Sequence, residues 1–141
     1  MKRLLFFFFC LSVCCYSSEA QKIVSANIVE SGLFNVASPD TLINPSDTIH
    51  MKMGNSFGFH YKIIADPDNV SIPVTLDLQI TDRNGKVEKI STDSKYLPHE
   101  FALGYFTFVF EAPEEMVAGI WKFSLVYKNE VLLEKVMYVI E

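Results

Sequence analysis

Beyond its first twenty residues this 141-residue chain has no cysteine; the three it contains are Cys10, Cys14 and Cys15. Neither disulfides nor cysteine-ligated metal can therefore stabilise the rest of the chain, and thiol catalysis is excluded there. Histidine is scarce as well. His50, His60 and His99 stand on separate predicted elements, without the close spacing of a zinc or copper centre. Clusters of basic residues are missing, and the formal net charge is −5. An acidic chain of this kind offers no footprint for phosphate, so nucleic acid and anionic membrane surfaces are excluded as natural partners. No stretch sustains a helical period of apolar residues, which argues against a bundle or an α/β fold. A Gly-x-Ser-x-Gly nucleophile elbow is also absent.

What is present begins with a targeting segment. "MKR" is a short basic start, "LLFFFFCLSVCCY" an apolar run too short for a permanent span, and "SSEA" a small-residue ending. Ser18 and Ala20 fit the two small positions ahead of a cut, so residues 1–20 are expected to leave as a signal peptide, with Gln21 as the new N-terminus. The product is expected to be periplasmic or secreted, with no membrane span once the leader is gone. Lipid attachment is the lesser route, because Phe9, Val13 and Cys14, rather than consistently small residues, precede the three cysteines. Losing Lys2, Arg3 and Glu19 removes two positive charges and one negative, which takes the charge from −5 to −6. Residues 21–141 suffice for one domain, burying roughly two-thirds of the surface the unfolded chain exposes.

The dominant period in that domain is two. "VTLDLQITD" sets Val74, Leu76, Leu78 and Ile80 against polar neighbours. "FGFHYKI" places Phe57, Phe59, Tyr61 and Ile63 on one face, and "YFTFVFE" does the same with Phe106, Phe108 and Phe110. Trp121, Phe123, Leu125 and Tyr127 share a face in "GIWKFSLVYK". The opening "KIVSANIVESGLFNV" reads as a strand bent or bulged at Gly32, and "KVEKIST" as a short, bulged or edge strand. Asn84-Gly85 and Lys128-Asn129-Glu130 mark hairpin connections, and "PEEM" and "LPHEF" single turns. About seven strands follow, near 23–36, 56–64, 74–82, 86–92, 104–111, 119–128 and 131–140. Their spacing predicts an all-β fold, an antiparallel two-sheet immunoglobulin-like β-sandwich whose aromatic faces form the shared core.

Three segments carry a family resemblance: Gly54-x-x-Phe57-Gly58-Phe59-x-Tyr61, Gly119-x-Trp121 and the closing Leu133-Glu134-Lys135 run. Together with the early "IVESGLF" they resemble an uncharacterised family of exported bacterial domains, domain of unknown function 3859. Met137 stands where that family tends to carry phenylalanine, which keeps apolar bulk. The resemblance implies a bacterial envelope or secreted protein with a sandwich fold, and it implies no activity.

Several residues invite a chemical reading. "HMKMG" offers His50, Met51 and Met53, soft ligands suited to Cu(I) in an exported protein. In a continuous strand, however, Met51 and Met53 share one face while His50 and Lys52 share the other, so the methionines read as core. Asp66-Pro67-Asp68-Asn69 lacks the spaced oxygen ligands of a calcium loop and reads as a turn. His60 is expected to be solvated or paired across strands. Glu114-Glu115 reads as a solvated loop. Trp121 could be a platform for a sugar, yet its phase with Phe123 and Leu125 makes it a core anchor. The resulting expectation is a non-catalytic domain that needs no cofactor and binds a protein or envelope component. Its contacts would come from a free sheet edge, the 37–48 connection or the "STDSKYLPHEFALG" segment. The alternative is a small-ligand or copper-binding periplasmic protein using His50, Met51 and Met53.

Overall fold

The computed structural model describes residues 22–66, 72–96 and 104–141. The expected signal peptide 1–20 with its three cysteines, residues 67–69 of the acidic turn, and the "LPHEF" turn with His99 lie outside the described residues. Nine strands are present in the described chain. They are β1 (Lys22–Asn35), β2 (Ser38–Asn44), β3 (Thr48–His50), β4 (Ser56–Asp66), β5 (Ile72–Asp82), β6 (Val87–Tyr96), β7 (Gly104–Val109), β8 (Gly119–Tyr127) and β9 (Glu130–Ile140). A single turn of 3-10 helix, Pro113–Glu115, sits between β7 and β8.

The strands form two sheets, one of four in the order β2-β1-β4-β7 and one of five in the order β3-β9-β8-β5-β6. Their inner faces pack together as a sandwich, and the aromatic residues that alternation assigned to the interior are found there. Phe57, Phe59, Phe110, Trp121, Phe123 and Leu125 are fully buried. Phe57 stands at the centre, with its ring centroid 5.2 Å from Trp121 and 5.0 Å from Phe110. The indole N–H of Trp121 donates to the carbonyl of Val117 at 2.8 Å, so its one polar atom is satisfied within the core. Met137 is likewise buried, opposite Trp121 in the register of β8 with β9.

Seven of these strands coincide with those that the alternation predicts. Of the other two, β2 lies within the 37–48 stretch expected to be an irregular connection, and β3 begins at its end. β2 is exposed along nearly its whole length, so no apolar alternation announced it. β3 is three residues long, buries only Ile49, and runs parallel to β9, so the sheet is not wholly antiparallel. β1 shifts register against β4 between Ile23 and Ser25 and between Ile28 and Glu30, upstream of the bend expected at Gly32. β6 is an edge strand as expected, but it is longer than "KVEKIST" and pairs with β5 without a bulge.

Two glycines of the motifs are explained by close backbone approach. Gly58 has φ +151°, and a Cβ there would strike the carbonyl oxygen of Phe106 on β7. Gly119 has φ +154°, and a Cβ would strike the carbonyl oxygen of Thr81 on β5. The hairpins follow local chemistry. Lys128 and Asn129 take φ of 50° and 66° to close β8 onto β9, the backbone form of a two-residue primed turn. Asp82 accepts the backbone N–H groups of Asn84 and Lys86, both at 2.8 Å, and organises the β5–β6 turn. Glu115 is no free surface acid. Its carboxylate accepts the backbone N–H of Glu111 at 2.7 Å and of Ala112 at 3.0 Å.

Truncating Trp121 to alanine is expected to cost ~3–5 kcal/mol, as large aromatic truncations in cores do. Lys122→Ala, one residue on and facing out, is expected to stay within about 0.5 kcal/mol. Denaturant melts of both variants measure the contrast, and equal small effects would contradict the core assignment.

Candidate functional site

The structure gives the three residues of the copper reading different surroundings. β3 ends at His50, and the chain then turns, with the Asn55 N–H donating to the Lys52 carbonyl at 3.0 Å and Gly54 at φ +81°. Strand parity therefore stops at His50, and the expectation that both methionines share a buried face fails for one of them. Met51 packs partly buried against the core, whereas Met53 is 44% exposed in the turn. The exposed His50 ring donates from Nδ1 to the carbonyl of Glu141 at 3.2 Å. Among the described residues no three His, Cys, Asp or Glu side chains gather to hold a metal ion.

His60 is not the solvated residue that its place on the outward face of β4 suggested. It is buried, and its ring stacks on Phe34 at a centroid distance of 4.1 Å. Nδ1 lies 2.8 Å from Oε1 of Glu30, its register partner on β1. The cross-strand reading thus holds and the solvated one does not. Strand parity missed the burial because Phe34 lies on the same outward face and covers the imidazole. Nε2 has no hydrogen-bond partner among the described residues.

The feature that can engage another molecule is the edge formed by β7. Its inward residues Phe106 and Phe108 reach the core, contacting Phe123 at 5.1 Å and Trp121 at 5.0 Å between ring centroids. β7 closes one side of the four-stranded sheet, while the facing sheet continues to a fifth strand, β6. Residues 87–93 of β6 are exposed on both faces, including Ile90, which is in register with buried Leu78. An open, largely apolar cleft of about 380 Å³ runs between them, lined by Leu76, Leu78, Ile90, Thr92, Phe106 and Phe108 among others. Sheet edges are ordinarily blunted by charge, proline, bulges or brevity. β6 carries Glu88, Lys89 and Asp93, β2 carries Pro39 and Asp40, β3 is short, and the part of β9 beyond β3 carries Glu130, Glu134 and Lys135. "GYFTFV" of β7 has none of these protections.

Two stacked sheets with this aromatic centre define an immunoglobulin-like sandwich, and comparison with solved structures agrees. An immunoglobulin-like protein from Pseudomonas aeruginosa superposes with a TM-score of 0.63 at 22% identity, over 88% of this chain and 99% of that one. The family model described as "Domain of unknown function (DUF3859)" matches residues 19–139, and the chain belongs to that family. No curated protein matches the chain. Among the described residues, no helix is long and apolar enough to cross a membrane.

Two outcomes follow from the side chains described above. Cu(I) is expected to bind no tighter to the parent than to a Met51→Leu, Met53→Leu double variant, in competition with a chelator of known affinity. A tight parental site lost in the variant would make this a metal-handling protein. Glu30→Ala, which strips His60 of its partner, is expected to destabilise the fold by about 1–3 kcal/mol in a denaturant melt. A neutral result would show that water replaces the carboxylate at no cost.

Proposed function

We propose that this domain is an exported, non-catalytic binding module that takes an extended segment of a partner protein as an added strand along β7. The observation that carries this reading is the mismatch between the two sheets. Among the described residues, the four-stranded sheet stops at an unprotected edge while the uncovered inner side of β6 extends beyond it. A strand laid beside β7 would satisfy that edge's free backbone groups and set alternate side chains into the cleft over Leu76, Leu78 and Ile90. Main-chain pairing would supply affinity and the cleft would select apolar side chains. Export rests on the leader-like start of the sequence, which makes an envelope or extracellular protein the natural partner. The small-ligand alternative at His50, Met51 and Met53 gains nothing from the structure, because the three sit in different surroundings.

The test is capture of partners from an envelope extract, followed by hydrogen exchange on the complex. The β7 amides of residues 104–109 are expected to gain protection, and Ile90→Asp is expected to weaken capture at least tenfold without shifting the melt. Protection confined to another surface, or capture indifferent to Ile90→Asp, would overturn the reading.

A further inference from the structure

The outward face of the five-stranded sheet carries a second site, remote in kind from the β7 edge. The register aligns Ser91, Asp77, Ser124 and Glu134 in one row across β6, β5, β8 and β9. The adjoining row is Lys89, Gln79, Lys122 and Val136. Between these rows lies a depression of about 190 Å³. Ser124 lines it and is only 7% exposed, yet its hydroxyl makes no hydrogen bond among the described residues. Open to the depression and unpaired with protein, this hydroxyl is free both to donate to and to accept from a ligand atom. Asp77 accepts from Ser91 at 2.6 Å through one carboxylate oxygen, which leaves the other uncommitted among the described residues. Lys122 stands 3.5 Å from Glu134, a loose pair with donors to spare.

From this arrangement we infer that the outer face of β5, β8 and β9 binds a neutral oligosaccharide. The charged lining is balanced, Lys89 and Lys122 against Asp77 and Glu134, so an anion or a cation gains little net attraction. Neighbouring sugar hydroxyls both donate and accept and are joined by C–H groups. The site matches them with a hydroxyl at Ser124, a free carboxylate oxygen at Asp77 and the amide of Gln79, beside the apolar walls of Val126 and Val131. A polypeptide fits poorly, because β5 and β8 are paired on both sides and present no free backbone groups. The volume lies below the roughly 300–1,000 Å³ of pockets that enclose drug-sized molecules, so it admits one sugar unit. Further units run toward Tyr138, which is 51% exposed four residues along β9 from Glu134, about 13 Å away along the strand. Its ring, in register with exposed Ile120, supplies the stacking surface.

The experiment is an NMR titration of the purified protein with maltotriose, cellotriose and chitotriose, beside their monosaccharides, up to about 20 mM, above the millimolar range of weak specific binding. At least one trisaccharide is expected to shift the amides of β5, β8 and β9. Ser124→Ala is expected to weaken that binding about tenfold, and Tyr138→Ala to weaken the trisaccharide several-fold while leaving its monosaccharide unchanged. Neither substitution removes core volume, so the melt should stay where it is in the parent. No shift with any of the three sugars, shifts confined to the β7 edge, or equal affinity in parent and variants would overturn the assignment.

Discussion

The contact between Phe57 and Trp121 is the constraint on which the rest of the sandwich depends. It joins the central strand β4 of one sheet to β8 of the other, and Phe108, Phe110 and Phe123 pack around it in tilted or edge-on geometry. With no cysteine in residues 21–141, no covalent staple shares the task, and the two sheets hold together by buried aromatic surface. The demands of that contact reach the backbone. β7 must approach β4 closely enough to deliver Phe106 and Phe108, and β8 must approach β5 closely enough to seat Trp121. Gly58 and Gly119 are where those approaches leave no room for a Cβ. The glycine–aromatic motifs are thus a packing requirement written into the sequence.

The same logic explains what was legible without a structure. A strand with one face in the core alternates, so β4, β5, β7 and β8 could be placed from Phe, Trp, Leu and Ile positions alone. β2 buries almost nothing and left no such trace, and β3 is too short to show a period. His60 misled because parity tells which face a side chain takes, not whether something on that face covers it. Phe34, reaching the same outward surface, turned an exposed position into a buried one. The reading of both methionines as core assumed a continuous strand, and the turn at Lys52–Asn55 removed that premise, leaving Met51 against the core and Met53 exposed.

The candidate sites were harder still to read, since both depend on how strands sit beside one another. That β7 is an edge over an uncovered β6 among the described residues follows from strand order, which a single sequence does not encode locally. The row Ser91, Asp77, Ser124 and Glu134 comes from four strands whose polar residues look like ordinary solvent-facing positions one at a time. Only register assembles them. The two surfaces divide the labour of recognition by chemistry, backbone groups at the edge and side chains on the sheet face.

The parallel pairing of β3 with β9 has a consequence for assembly. This short strand covers Tyr138–Ile140 at the end of β9, Glu130, Glu134 and Lys135 put charge along the rest of that border, and the proline and charges of β2 and β6 discourage pairing at two others. A building block that joins others through two unlike receptive borders can propagate into an open filament, whereas one with a single such border cannot. Among the described strands only β7 is left receptive, so any growth through sheet extension ends after one addition. Exposing β7 for recognition therefore does not commit the molecule to fibre formation. A copy pairing with itself there would produce a closed twofold dimer and nothing larger.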